Sequence, residues 1–163
     1  MSLIAVALAL TLNGCSTARL HHYVLAATYS ANYSEDRIDD YSILTADGKD
    51  TGLGGSQTDK FSEGGMSGEV CCFPIPGVGK TIRVVWNVQD PNDTSKDTTY
   101  SKSVVVLGKP RRQDDSSNYL LVRFFPDHQI EAEMFSYSDS AVRPDPRADQ
   151  LFYGNHVMRH LGD

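Results

Sequence analysis

The chain has 163 residues, 40% hydrophobic and 22% charged, with a formal net charge of -6 and a sequence pI near 5.2. These values fit one folded domain and leave little room for a second core. The acidity opposes non-specific capture of nucleic acid or of anionic lipid; it suits either a basic protein partner or plain solubility.

Residues 3–12 form an apolar run of signal-peptide length, too short to cross a bilayer comfortably. The run leads into Leu12-Asn13-Gly14-Cys15, which resembles the lipobox of bacterial lipoproteins. That chemistry needs a thiol to receive diacylglycerol and a small residue before the scissile bond. No Lys or Arg precedes the run, a departure from the usual basic opening. The reading is a signal peptide over 1–14, a lipidated tether over 15–22 with Cys15 as the attachment point, and a single domain over 23–163. A buried N-terminal helix or strand is the alternative. Ser16 stands where Asp would favour inner-membrane retention, so the expected location is the outer membrane, with the domain facing the periplasm. Each buried acyl methylene contributes about 0.8 kcal/mol, so several chains would make the anchor effectively permanent.

The rest of the chain predicts a mainly β domain, an antiparallel sandwich of about seven strands, at residues 24–32, 38–44, 69–75, 81–89, 98–107, 118–125 and 129–137. The clearest alternation sets Ile82, Val84, Trp86 and Val88 against Arg83, Val85 and Asn87, which makes Trp86 a core residue. Ile130, Ala132 and Met134 alternate with Glu131 and Glu133 in the same way, and the turn Pro126-Asp127-His128 joins residues 119–137 into a hairpin. Three polar stretches, 45–67 with its six glycines, 90–97 and 108–117, read as long loops. Residues 147–161, after Pro144-Asp145-Pro146, read as a short closing helix.

Motifs that would carry chemistry fail on their spacing. Gly77-Val78-Gly79-Lys80-Thr81 lacks the first glycine of a phosphate-binding loop, because that position is Pro74, and it precedes a strand. Gly65-Met66-Ser67-Gly68 is followed by Glu69, where a nucleophile elbow needs glycine. His156 and His160 are four apart and have no third ligand. No catalytic residue, metal or cofactor is expected, and the chain does not read as an enzyme. Cys71 and Cys72 are adjacent in a strand-like segment. A vicinal disulfide, one buried and one semi-exposed thiol, and an intermolecular link are the open readings. Without a remote cysteine in the domain, an immunoglobulin-type inter-strand disulfide is excluded.

The segment Asn32-Tyr33-Ser34-Glu35-Asp36-Arg37-Ile38, the Gly-rich stretch with Gly64-Gly65, the run Val70-Cys71-Cys72-Phe73-Pro74-Ile75-Pro76 and the strand from Thr81 to Trp86 are together similar to a proteobacterial lipoprotein family, domain-of-unknown-function family 3304 (DUF3304). The similarity covers roughly residues 24–90. Members of this family look like products of type VI secretion loci placed beside lipase effectors. The resemblance therefore implies an immunity protein that binds and inhibits a cognate secreted phospholipase, and it carries no catalytic residues. On that reading the partners are the effector and, through the lipid, the membrane, with no nucleic acid. Asp90, Asn92, Asp93, Asp114 and Asp115, in the polar loops, are the candidate contacts. The alternative is a structural or assembly lipoprotein of the envelope.

Overall fold

Ile82, Val84, Trp86 and Val88 are buried while Arg83, Val85 and Asn87 between them are only half-covered, the burial pattern of a strand with one face on a core. Such strands dominate the computed structural model, which describes residues 23–109, 111–112 and 117–136. In chain order the strands among the described residues are β1 Tyr23–Asn32, β2 Ile38–Thr45, β3 Asp50–Thr58, β4 Met66–Pro76, β5 Thr81–Asp90, β6 Asp93–Val105, β7 Leu107–Gly108, β8 Asn118–Phe125 and β9 Gln129–Ser136. The lipobox with Cys15, Asp114, Asp115 and the expected C-terminal helix with His156 and His160 lie outside the described residues.

Two sheets pack face to face, one in the order β4-β1-β8-β9-β7 and the other in the order β3-β2-β5-β6. The mainly β sandwich expected from the sequence is the observed architecture. Its larger sheet is mixed, because β1 runs parallel to β8 and β7 parallel to β9, whereas β8 and β9 form the expected antiparallel hairpin. Asp127 and His128 take left-handed conformations in its turn, at φ 58° and 54°.

Two stretches expected as loops are strands. Most of the long loop expected at 45–67 is β3 and the start of β4, and the loop expected at 90–97 is a tight turn at Pro91 and Asn92 followed by β6. Glycine weakens a strand unless another backbone or ring needs the space, and here both do. A side chain at Gly54 would collide with the Tyr41 carbonyl, and one at Gly55 with the Tyr41 ring. β3 also closes the sandwich beside β4, where Ser67 Oγ donates to Ser56 O at 2.7 Å and Phe73 lies over Gly52.

The core between the sheets unites Leu120, Val122, Phe124, Ile130, Ala132 and Met134 of the larger sheet with Ile38, Tyr41, Ile43, Ile82, Val84 and Trp86 of the smaller. A second cluster, Ala27, Ala31, Tyr33, Tyr119, Leu121, Phe125 and Phe135, lies on the opposite face of the larger sheet. β8 is therefore buried along both faces. The alternation expected of β9 sets Ile130, Ala132 and Met134 on the core face, but the face with Glu131 and Glu133 is buried as well, at 8% and 7% exposure. They meet the fully buried Arg123, whose Nη1 donates to Glu131 Oε1 and to Glu133 Oε2, the latter at 2.8 Å. A buried charge is retained only where it is paired and hydrogen-bonded.

A polar layer crosses the core beside β3. Thr28 Oγ1 donates to Gly54 O at 2.6 Å, and Ser30 and Thr58 share a hydroxyl hydrogen bond of 2.7 Å. With those hydroxyls engaged, burial pushes the neighbouring Tyr41 phenol up to about 12, against a smaller opposing effect of Thr28 and Ser30. In the unfolded chain the phenol ionises near 10, so the folded state holds its proton to higher pH. The stabilisation is complete below pH 10 and is lost as pH rises from 10 towards 12, by about 2 to 3 kcal/mol in all. In urea unfolding across that window, the fall in stability should be shallower for Tyr41→Phe than for wild type.

Candidate functional site

Asn32 ends β1 and is 1% exposed, and its side chain gathers two loops at once. Its amide donates to Asp36 O at 2.6 Å and to Asp59 O at 3.0 Å, while its carbonyl oxygen accepts from Ser34 N at 3.0 Å and Ser34 Oγ at 2.7 Å. Tyr33 beside it stacks on Phe125 and Phe61, with ring centroids 5.3 and 6.0 Å away. Residues 33–37, between β1 and β2, are thus pinned to residues 59–65, between β3 and β4. Phe61 N donates to Ser34 O at 2.9 Å, and Ser62 Oγ donates to Glu35 Oε2 at 2.6 Å.

Two more turns reach the same end of the sandwich. Gln89 N donates to Arg37 O at 3.0 Å, which brings the β5–β6 turn alongside. The β8–β9 turn arrives through His128, which stacks on Tyr100 of β6 at 3.8 Å between centroids and lies 3.9 Å from Asp36 Oδ2. These connections and the adjoining strand ends carry Glu35, Asp36, Asp59, Glu63, Asp90, Asp93 and Asp127 together with Arg37, Lys60, Lys96 and His128, and Lys102 reaches Gln129 beside the β8–β9 turn. Asp93 is held below the usual carboxylate range, first by Lys96 at 2.7 Å and then by Ser95.

A shallow groove of about 170 Å³ runs between these loops, lined by Glu35, Asp36, Arg37, Lys60, Glu63, Gln89, Pro91 and Thr94. It is smaller than the roughly 300 Å³ at which small-molecule sites begin, and its walls are polar where such sites are mostly apolar. Its volume is that of one or two side chains, and its lining sets Glu35, Asp36 and Glu63 beside Arg37 and Lys60.

Asp90, Asn92 and Asp93, expected as contacts, stand at this end. They are tied into the β5–β6 turn, where Asn92 N donates to Asp90 Oδ1 at 2.8 Å. Asp114 and Asp115, the other expected contacts, lie outside the described residues. Glu35, Asp36 and Glu63, which line the groove, were absent from the expected set. Their signal was the Asn32–Arg37 block, whose short polar side chains fold the loop back on Asn32. Cys71 and Cys72 are bonded to each other on β4, away from the groove.

No curated protein and no solved structure matches the chain. A family match covers residues 31–132, from the end of β1 into β9, and so reaches well beyond the similarity read over residues 24–90. By that match, over more than half its length, the chain belongs to the family described as protein of unknown function (DUF3304).

Proposed function

We propose that this protein is a periplasm-facing lipoprotein, held in the outer membrane through Cys15, that acts as an immunity protein by binding and blocking a phospholipase effector of a type VI secretion system. The observation that carries the reading is the acidic end of the sandwich, where Asn32 and the Tyr33 stack lock the β1–β2 and β3–β4 connections together and the β5–β6 and β8–β9 turns join them through Arg37 and His128, around a groove sized for side chains. A blocking protein needs a rigid, charged surface shaped to one partner, and rim charges of this kind steer association and select the partner. The lipobox-like Leu12-Asn13-Gly14-Cys15 supplies the tether that would keep it where a membrane-attacking enzyme arrives.

The test co-expresses a lipase effector, sought among the genes beside this one, in the periplasm of sensitive cells and follows survival and phospholipid hydrolysis. Wild type should protect and incorporate a palmitate analogue. Cys15→Ala should lose the label and protect less. Reversing charge with Glu35→Lys and Asp36→Lys should slow association about tenfold or more and flatten its salt dependence. Undiminished killing, with no complex by calorimetry at micromolar concentrations, would overturn the reading and leave a structural envelope lipoprotein as the better account.

A further inference from the structure

Cys71 and Cys72 are adjacent on β4, the outer strand of the larger sheet, and their sulfurs are joined. A disulfide stabilises a fold largely by closing a loop in the unfolded chain, a contribution that grows with loop length. Adjacent residues close the shortest loop a chain allows, so stability accounts for little of this bond. Its position in the ladder says more. β1 pairs Ala26 with Phe73 and Thr28 with Val70, so the single residue Ala27 stands opposite both cysteines. The disulfide spans a β-bulge. The extra residue of a bulge is unpaired, and a strand relieved of constraint can pass it along by slipping one position. A covalent link between the two bulged residues holds the bulge in place.

The two sulfurs have different surroundings. Cys71 is exposed on the strand, whereas Cys72 is half-buried and packs against the cluster on the outer face of the larger sheet. We infer that Cys71–Cys72 is a thiol–disulfide exchange site, opened by a dithiol reductant through attack at Cys71, and that its redox state sets the register of the β4 edge. In the first step a thiolate of the reductant bonds to Cys71 Sγ and breaks the Cys71–Cys72 bond, and Cys72 leaves as a thiolate that takes up a proton. In the second, the other thiol of the reductant gives up its proton and displaces Cys71 from the mixed disulfide. The reductant ends as a disulfide and the protein as two thiols, a two-electron exchange. A monothiol stalls after the first step, because Cys72 is next to the mixed disulfide and recloses the ring. Once the link is open, a slip of β4 between this bulge and the second irregularity, which lies between Val70 and Ser67, turns the exposed Val70 to the other face. This inference stands independently of the immunity reading.

The experiment treats the folded full-length protein with dithiothreitol or, at matched thiol concentration, with glutathione. It then traps thiols with N-ethylmaleimide, maps them by peptide mass and follows hydrogen exchange. Dithiothreitol should place two maleimides on Cys71 and Cys72 of the native protein, at least about tenfold faster than glutathione does. Exchange should then quicken in the peptide spanning Met66–Pro76 and not in that spanning Thr81–Asp90, and the double variant Cys71→Ser, Cys72→Ser should match the reduced protein. Labelling only after denaturation, equal rates with the two reagents, two free thiols before any treatment, or reduction that leaves exchange in β4 unchanged would each overturn the inference.

Discussion

Arg123→Met should cost about 3 to 5 kcal/mol of folding stability, because it leaves two glutamates buried with no countercharge from this sheet position. The Arg123 side chain is fully buried in β8, and its guanidinium serves Glu131 and Glu133 of β9 together and sits 5.7 Å from the centre of the Phe135 ring. Arg123 is the partner that the two carboxylates share, so removing it disturbs two buried groups, whereas removing either glutamate disturbs one. Arg123→Lys should recover much of the loss but not all of it, since a single ammonium can replace the one nitrogen, Nη1, that makes both bonds, while its smaller head leaves the space of the rest of the guanidinium unfilled. The triple variant Arg123→Met, Glu131→Leu, Glu133→Leu should regain most of it, because a buried ion cluster and an apolar cluster of similar volume are often equal in stability. Urea unfolding of the four proteins checks this, with midpoints expected in the order wild type near the triple variant, then Lys, then Met. A Met variant within about 1 kcal/mol of wild type would mean that water reaches the carboxylates.

This cluster also marks where sequence reasoning stopped. Alternation along residues 129–136 was legible, and it sets Ile130, Ala132 and Met134 on the core face as observed. Alternation of this kind implies that the face with Glu131 and Glu133 is wet. The larger sheet has no wet face along β8, and the near-continuous apolar run of Tyr119 to Phe125, broken only by Arg123, was the available sign of burial on both sides. β3 was hidden for a different reason. Its glycines count against a strand until it is known that Tyr41 presses on Gly54 and Gly55, a fact about pairing between β2 and β3 that no local pattern contains. The same holds for the parallel partnership of β1 and β8, residues separated by most of the domain. At the candidate site, Asp90 and Asp93 were visible as acidic turn residues. That Glu35, Asp36 and Glu63 join them depends on which loops share an end of the sandwich, and only the topology decides that.

Trp86→Ala should destabilise the domain by about 3 to 5 kcal/mol, a large share of the roughly 5 to 15 kcal/mol that holds a domain of this size together. Trp86 is 2% exposed and links the two sheets: it stacks on Tyr100 of its own sheet at 5.8 Å between centroids, and tilts onto Phe124 of the other, also at 5.8 Å. Tyr41, its partner across the β2–β5 ladder, meets the same Phe124 edge-on at 5.5 Å. Deleting the indole therefore opens a cavity at the junction of three rings that hold one another in place, so the site can collapse only partially and the cavity contribution adds to the lost burial. Trp86→Phe keeps the packing on Phe124 and should cost well under half as much. In thermal unfolding the Ala variant should fall by roughly 6 to 20 °C, at about 2 to 4 °C per kcal/mol for a domain of this size. The stack continues outward from Trp86 through Tyr100 to His128 at the acidic end. Loss of partner binding by Trp86→Ala should accordingly track the fraction unfolded and vanish at temperatures where the variant is still native. Binding abolished in a variant whose thermal midpoint is unchanged would place Trp86 in the interface instead of the core.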